Sequence, residues 1–247
     1  AITRLVAAGT VPGLELAGAI DRADSPLIGQ DAGAAAGVRA LGVRVSADLG
    51  AALAARPAVA VDFSCHAATA AAAPQLAAAG VPWVVGTTGL DAAERGAVEQ
   101  AAGRIPVVLS ANMSVGVNLL HALVAQAARV LRGRGYDCEI VERHHRRKKD
   151  APSGTALYLG EAAAQGFGWN LADVAIDGRS GLPGERPEKQ IGFHAVRGGD
   201  LVGDHTVLFA ADGECLELSH RATSRDTLAI GALRAAAWLP GHAPGLY

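Results

Sequence analysis

The chain contains 247 residues, with 22 Lys and Arg side chains against 24 Asp and Glu, which gives a formal net charge of −2. A chain of this length can form one large or two ordinary domains and bury about three quarters of its unfolded surface. The 50% share of hydrophobic residues and the 19% share of charged residues exclude extended disorder, and the near-neutral balance argues against binding of nucleic acid through bulk positive charge. Aromatic residues make up only 4% and 31 glycines are present, which favours small-residue helices on a buried parallel sheet over an aromatic-rich β-sandwich.

The cysteines and histidines show no metal or disulfide pattern. Cys65, Cys138 and Cys215 are far apart and odd in number, so we expect reduced thiols that fill small apolar spaces. His144 and His145 are adjacent and would point to opposite faces of a strand, and no close cysteine or further histidine completes a chelating spacing. No metal site is therefore predicted.

No segment approaches the roughly 20 uninterrupted apolar residues that a membrane span requires, because Pro, Asp and His interrupt the most apolar region. The first five residues also lack the basic segment followed by an apolar one that marks a signal peptide. These observations predict a soluble, cytoplasmic protein that makes no membrane contact.

Predicted strands and helices alternate over residues 1–110. Apolar positions 2, 5 and 6, followed by a glycine, predict the last turns of an amphipathic helix. Asp91 and Glu94 have the spacing of a capping box and predict the start of another helix. The predicted strands cover residues 14–20, 59–63, 81–85 and 107–110, and the predicted helices cover residues 48–55, 67–79 and 92–102. Such alternation implies right-handed crossovers and a parallel sheet, whose ligands bind at the carboxyl ends of the strands.

The pattern changes after residue 113. The sequence predicts a helix at 115–131, an extended segment at 137–142, a surface loop at 178–189, β-rich segments at 191–196, 201–209 and 214–222, and a final helix at 225–239. We therefore predict an α/β chain of two domains. Residues 1–113 and 225–247 would form a parallel-sheet domain, and residues 114–224 an α+β domain with a mixed or antiparallel sheet.

Dinucleotide-binding folds place an acidic residue that hydrogen-bonds the adenosine ribose at the end of the second strand of a βαβ unit. Asp21, which ends the first strand predicted in this chain, would occupy that place. In such folds the acid lies about 20 residues after a glycine-rich phosphate turn, so we expect that turn and its strand to precede Ala1 in a longer chain. Arg22 could meet a 2′-phosphate, which leaves both NADH and NADPH open. An aspartate at this place can also cap a helix or lie in a solvated turn.

Two further turns follow buried strands and would lie at the same edge of the sheet, where a cofactor binds. Each turn alone is as consistent with an ordinary βα connection as with a binding loop. They consist of Gly86, Thr87 and Thr88, and of Ser110, Ala111, Asn112 and Met113.

Five cations and two histidines occupy the seven positions from Arg143 to Lys149. A solvated charge run, a localisation signal and a nucleic-acid patch are alternative interpretations, and the absence of interleaved aromatic residues disfavours nucleic acid. The sequence Ser153-Gly154-Thr155 has the form of a helix N-terminus, which attracts anions. The cluster therefore fits a small carboxylate ligand, with a histidine to transfer a proton and a lysine to supply a second proton or stabilise negative charge.

Several motifs resemble those of the 4-hydroxy-tetrahydrodipicolinate reductase family, formerly called dihydrodipicolinate reductases, of the lysine and diaminopimelate pathway. They follow one another along the chain in the same order as in that family. The longest is H-H-x-x-K-x-D-A-P-S-G-T-A at residues 144–156. The others are V-D-F-S at 61–64, G-T-T-G at 86–89, A-N-M-S-V-G-V-N at 111–118, I-G-F at 191–193, R-G-G-D at 197–200 and G-D-H-T at 203–206. The resemblance spans nearly the whole chain.

The resemblance implies a Rossmann-type NAD(P)H-binding domain and a substrate domain that also builds a homotetramer. It implies that His144 is the catalytic acid/base, that Lys148 is the proton donor, and that His145, Gly154 and Thr155 bind the substrate carboxylates. The implied cofactor contacts are Asp21 and Arg22 at the adenosine ribose, Gly86 to Thr88 at the nicotinamide side, and Ser110 to Met113 at the nicotinamide end. The implied reaction transfers a hydride from NADH or NADPH to C4 of a cyclic imine with loss of water, giving tetrahydrodipicolinate.

Two features depart from the family pattern. The strand and glycine-rich turn that hold the pyrophosphate do not appear before Asp21, and the chain ends at Tyr247 where members of the family usually continue. We therefore expect a partial sequence, with weak cofactor affinity and reduced stability as it stands. An inert dicarboxylate-binding or oligomerising module is the alternative function, and a different NAD(P)-dependent dehydrogenase of a small amino-dicarboxylate is a weaker one.

Overall fold

The structure is a computed structural model that describes residues 1–247. The chain divides into two compact units: unit 1 contains Ala1–Ser114 and Leu228–Tyr247, and unit 2 contains Val115–Thr227. The predicted boundaries, after residue 113 and before residue 225, are close to these. None of the helices combines the length and apolar character that crossing a membrane would require.

The first half of the chain alternates short strands with helices. Its helices are α1 (Ile2–Ala7), α2 (Ala32–Ala35), α3 (Leu49–Ala54), α4 (His66–Ala79) and α5 (Ala92–Ala102), and its strands are β1 (Ala19–Ile20), β2 (Val45–Ser46), β3 (Ala60–Asp62), β4 (Trp83–Val85) and β5 (Pro106–Leu109). Asp91 and Glu94 form the predicted capping box at the start of α5. Gly80 ends α4 with a positive φ of 67°, a backbone conformation that glycine adopts without strain.

The second half contains longer strands. Its helices are α6 (Val115–Leu131), α7 (Gly154–Phe167), α8 (Leu171–Val174) and α9 (Asp226–Trp238), and its strands are β6 (Asp137–His144), β7 (Ala175–Asp177), β8 (Ile191–Arg197), β9 (Gly203–Ala211), β10 (Glu214–Ala222) and β11 (Gly245–Leu246). The predicted bounds of α5 and α6 are confirmed. The pattern analysis did not predict five short elements, each of four residues or fewer: α2, β2, α8, β7 and β11.

Unit 1 is built on parallel strands. A four-stranded sheet has the order β11-β5-β4-β3 with every neighbour parallel, and β1 pairs with β2, also parallel, in a separate two-stranded sheet. Trp83, Val84 and Val85 of β4 are buried, as expected for a strand covered on both faces. The predicted parallel α/β class is confirmed, but the predicted strand at 14–20 is wrong in extent, because only Ala19–Ile20 pairs as a strand.

Unit 2 contains a five-stranded mixed sheet of order β10-β9-β6-β8-β7. β9 is antiparallel to both β10 and β6, whereas β8 is parallel to both β6 and β7. Along β6 the even-numbered residues are buried and the odd-numbered residues are partly exposed. Glu142 and His144 therefore share the buried face with Ile140, which packs in the core formed with α6 and α7.

The three cysteines are free thiols in different surroundings. Cys138 is buried in the core of unit 2, and burial raises the pKa of its thiol to about 12. Cys65 and Cys215 are exposed. The prediction that the cysteines fill apolar spaces is therefore confirmed for Cys138 and wrong for Cys65 and Cys215.

An ionic network on the partly exposed face of β6 fixes the long segment between β7 and β8. Glu139 accepts two hydrogen bonds from Arg179, at 2.9 and 3.0 Å, and one from Arg186 at 2.8 Å, and its other contact is with His194 Nε2 at 2.7 Å. Burial raises the pKa of Glu139, but the hydrogen bonds from Arg179, Arg186 and His194 outweigh it and lower the pKa to about 2. The carboxylate thus stabilises the folded state while it is ionised.

The substitution Glu139→Gln should lower the free energy of unfolding by about 2 kcal/mol at neutral pH, because two arginines lose their shared partner. The folded-state pKa lies below the ordinary value of 4.5, so the contribution is complete above about pH 5 and is lost progressively as the pH falls towards 2. Urea unfolding of both proteins at pH 7, 4 and 3 measures the difference. A difference as large at pH 3 as at pH 7 would contradict this account.

Candidate functional site

The buried face at the end of β6 carries a carboxylate and an imidazole in direct contact. Glu142 Oε2 lies 2.5 Å from His144 Nδ1. Glu142 is fully buried and His144 is 8% exposed. An ionised carboxylate can only accept hydrogen bonds, so Nδ1 carries the hydrogen and Nε2 is the atom that can take up or release a proton.

Glu142 is held by three further hydrogen bonds. Arg197 of β8 donates to both carboxylate oxygens at 2.7 and 2.8 Å, and the backbone N–H of Ser153 donates to Oε1 at 3.0 Å. Burial raises the pKa of Glu142, but the hydrogen bonds from Arg197 and His144 outweigh it and hold the pKa below its ordinary value. Glu142 is therefore a buried, paired carboxylate.

The N-terminus of α7 is hydrogen-bonded to the Glu142 carboxylate through the backbone N–H of Ser153. Ser153 is the N-cap residue, and its Oγ accepts a hydrogen bond from Ala156 N at 3.2 Å. Gly154 and Thr155 are the first two residues of the helix, where the N–H groups and the helix dipole favour an anion. Apart from the adjoining residues and the backbone of α7 itself, no atom lies within 4 Å of the place that a Cβ on Gly154 would occupy.

A second buried histidine, His205, contacts both Ser153 and His144. His205 of β9 places Nε2 3.1 Å from Ser153 Oγ, and its ring packs edge-on against the ring of His144 with centroids 5.1 Å apart. Burial is the main cause that lowers the pKa of His205, to about 4. His205 is therefore neutral at neutral pH and adds no positive charge beside His144.

The two remaining members of the histidine-lysine motif have polar partners. Lys148 Nζ donates to both oxygens of Asp150, at 2.8 and 2.9 Å. His145 Nε2 lies 2.7 Å from an Arg225 guanidinium nitrogen, while its Nδ1 is buried without a hydrogen-bond partner. Burial and then the charge of Arg225 lower the pKa of His145, so the neutral imidazole is favoured. The structure thus brings His144, Glu142 and the start of α7 together, and it gives His145 and Lys148 their own charged neighbours.

In unit 1, one side chain organises the ends of the parallel strands. Asp62 ends β3 and accepts hydrogen bonds from Ser64 N and Ser64 Oγ, from Thr69 Oγ1 at 2.8 Å, and from Thr87 Oγ1 at 3.2 Å. Thr87 is buried. The hydroxyl of Thr87 is therefore used inside the protein, and Asp62 fixes the turn after β4.

The predicted binding turns follow β4 and β5. Gly86 lies against the ring of Phe63, and a Cβ on Gly86 would approach Phe63 Cε1 to 2.2 Å. In the next turn, Ser110 Oγ donates to the carbonyl of Asn112 at 2.7 Å. Thr88 and Ala111 are exposed, whereas the Met113 side chain is buried in a core cluster with Val84 and Ala232. The Met113 side chain is therefore not accessible to a ligand.

Asp21 and Arg22 follow β1, in the two-stranded sheet. Asp21 accepts hydrogen bonds from Ser25 Oγ at 2.6 Å and from Arg22 N at 2.8 Å. The hydrogen bond from Ser25 has the larger effect and that from Arg22 N the smaller, and together they hold the pKa of Asp21 below its ordinary value. The Arg22 guanidinium pairs with Asp24 at 3.0 Å, with both side chains largely exposed.

The sequence analysis assigned no role to the partners that position the predicted residues, although several of them lie in its motifs. They are Asp62, Glu142, Asp150, Arg197, His205 and Arg225. The pairing of Glu142 with His144 has a signal in the sequence, since residues two apart on a strand share a face. No sequence signal predicted the contacts of Arg197 and His205, because these residues lie on strands more than 50 residues further along the chain than their partners.

Comparison with known protein families decides the membership of the chain. The family model described as "Dihydrodipicolinate reductase, N-terminus" matches residues 2–113, and the one described as "Dihydrodipicolinate reductase, C-terminus" matches residues 116–247. The chain belongs to the dihydrodipicolinate reductase family. The resemblance drawn from the sequence motifs is thereby confirmed.

Relatives in this family match over the whole chain. A 4-hydroxy-tetrahydrodipicolinate reductase from Anaeromyxobacter dehalogenans is 55% identical over 246 residues, which cover 100% of this chain and 90% of the relative. Another, from Thiobacillus denitrificans, is 55% identical over 95% of this chain and 87% of the relative. A solved dipicolinate-bound dihydrodipicolinate reductase from Paenisporosarcina sp. TG-14 shares the fold, with a TM-score of 0.76, 21% identity, and coverage of 99% of this chain and 91% of that one.

Gly231 of α9 should be essential for the turn after β5. A Cβ at this position would lie 1.7 Å from the carbonyl oxygen of Met113, and backbone cannot move aside as a side-chain end can. Gly231→Ala should therefore lower the free energy of unfolding by about 1 to 3 kcal/mol.

Gly96→Ala in α5 is the matched control, because nothing lies within 4 Å of its Cβ position and alanine favours the helix. It should raise stability by about 0.5 to 1 kcal/mol. Urea unfolding measures both variants, and equal effects of the same sign would contradict the close approach of α9 to Met113.

Proposed function

We propose that the protein reduces (2S,4S)-4-hydroxy-2,3,4,5-tetrahydrodipicolinate to tetrahydrodipicolinate with NADH or NADPH, in lysine and diaminopimelate biosynthesis. The bond between C4 and the hydroxyl oxygen breaks, a hydride forms the new C4–H bond, and a proton joins the leaving hydroxide to give water. The nicotinamide cofactor is oxidised to NAD⁺ or NADP⁺. Family membership over the whole chain supports this reductase rather than an inert dicarboxylate-binding module.

The Glu142–His144 contact is the observation that carries the proton-transfer part of the proposal. It leaves His144 Nε2 as the atom that exchanges a proton, in a largely water-excluded position. We assign His144 the role of acid/base. The Lys148 ammonium, held by two contacts with Asp150, is the proposed proton donor to the leaving hydroxyl.

The start of α7 supplies the proposed site for the substrate carboxylates. The N–H groups at Gly154 and Thr155 and the positive end of the helix dipole attract negative charge. His145 adds a buried Nδ1 atom that lacks a hydrogen-bond partner within the protein. A carboxylate oxygen that accepts a hydrogen bond from this atom would satisfy it.

The cofactor supplies the hydride when it is bound, and the donor set of unit 1 fits its polar parts. The Asp21 carboxylate accepts only one hydrogen bond at each oxygen, so both oxygens can also accept from the ribose hydroxyls. Arg22 can meet a 2′-phosphate in place of Asp24. We assign the turns Gly86 to Thr88 and Ser110 to Met113 to the nicotinamide part, because they follow adjacent parallel strands at one sheet edge.

Oxidation of NADPH and of NADH in the presence of freshly generated imine tests the proposal. The parent protein should turn over, and His144→Gln and Lys148→Ala should each lower kcat about 100-fold or more, because each removes a proton-transferring group. Lys189→Ala is a control, since this lysine lies in the segment before β8 and has no proposed role. Parental rates in both His144→Gln and Lys148→Ala would overturn the assignment of the chemistry.

We also propose that the enzyme is a homotetramer, as the family resemblance implies. Leu119, Leu123 and Val130 of α6 and Leu216 of the edge strand β10 are exposed, and a second copy could cover such apolar side chains. Light scattering should give a mass of about 100 kDa, four times the chain mass of 25.0 kDa. A mass of 25.0 kDa at micromolar concentration would contradict the proposal.

A further inference from the structure

We propose that Glu142 is a positioning residue of the reductase, which fixes the tautomer of His144 and joins this imidazole to the N-terminus of α7. The inference rests on the proposed function, in which His144 is the acid/base. Glu142 itself touches neither substrate nor cofactor in this account. It acts through His144 and through Ser153.

The hydrogen bonds of Glu142 leave no freedom for a different arrangement. A carboxylate has about four acceptor positions, and Glu142 receives two hydrogen bonds at Oε1, from Arg197 and Ser153 N, and two at Oε2, from Arg197 and His144. All four partners are donors. The imidazole must therefore point Nδ1–H at Glu142, and Nε2 is left to exchange the proton.

Arg197 makes the buried negative charge tolerable. Its two parallel hydrogen bonds to Glu142 neutralise the carboxylate, which would otherwise be costly to bury. The same guanidinium donates to the carbonyl oxygen of Asp150 at 2.8 Å. Since Asp150 also holds Lys148, the proposed proton donor is connected to the same group of residues.

The second link runs to the proposed carboxylate site. Glu142 Oε1 accepts the N–H of Ser153, and the Ser153 side chain caps α7 immediately before Gly154. One buried carboxylate therefore sets both the proton-transferring nitrogen and the start of the helix that would bind substrate. The ion pair of Glu139 with Arg179, on the other face of β6, connects neither to His144 nor to the start of α7.

The substitution Glu142→Gln provides the test. The side-chain amide can replace one acceptor oxygen, but its NH₂ group is a donor and favours His144 with an unprotonated Nδ1. The tautomer of the neutral imidazole should then change from Nδ1–H to Nε2–H, which ¹⁵N NMR of labelled histidine detects. In the activity assay kcat should fall about 100-fold, while KM for the imine should change less than about threefold.

A double-mutant cycle with His144→Gln separates positioning from general damage. If Glu142 acts through His144, Glu142→Gln should have little further effect on kcat in the His144→Gln background. Glu139→Gln is the matched control, because Glu139 lies on the other face of β6 and also pairs with an arginine. It should lower stability and keep kcat within about twofold.

If Glu142→Gln does not fold, Glu142→Asp keeps the charge for Arg197 and shortens the reach to His144, and it should lower kcat about 10-fold in the folded protein. Additive effects in the cycle, or an Nε2–H tautomer of His144 in the parent, would overturn the inference. An inactive parent that retains the Nδ1–H tautomer would instead refute the proposed function and leave the position of His144 as stated.

Discussion

The burial of one charge, on Glu142, constrains the arrangement of unit 2. An isolated carboxylate in a protein interior is several kcal/mol less stable than in water, so donors must surround it. Those donors come from β8, from the end of β6 and from Ser153, the N-cap residue of α7. The requirement to satisfy a buried charge therefore fixes where the imidazole of His144 and the first turn of α7 lie. The arrangement of unit 2 and the proposed proton transfer depend on the same four hydrogen bonds.

A similar arrangement occurs in unit 1, with a more exposed carboxylate. Asp62 ends β3 and receives hydrogen bonds from a backbone N–H and from three hydroxyl groups, including that of Thr87 after β4. Neighbouring parallel strands end at the same edge of the sheet. Asp62, at the end of β3, can therefore hold the turn after β4 through its hydrogen bond with Thr87. In both units, a carboxylate that need not contact the ligand holds polar groups that are proposed to bind it. This carboxylate is Asp62 in unit 1 and Glu142 in unit 2.

Much of the fold could be predicted from periodicity. Helices α5 and α6 have long patterns with clear caps or apolar spacing, and their bounds agree with the structure. Short elements such as β1, with two residues, have no period of their own and depend on pairing with distant chain. The exposure of Cys65 and Cys215 could not be derived either, because a free thiol is equally compatible with the surface and the core. The motif at 144–156 identified the family, yet Arg197 and His205 could be placed beside it only by the pairing of β6 with β8 and β9.

A crystal structure of the protein with pyridine-2,6-dicarboxylate and NADH would show whether Glu142 positions both His144 and the start of α7 for the substrate. We expect one carboxylate of the ligand to lie about 3 Å from the backbone N–H groups of Gly154 and Thr155, with His144 Nε2 towards the ligand and Nδ1 still on Glu142. A dicarboxylate bound away from the start of α7, or a His144 ring turned away from Glu142 in the complex, would contradict it.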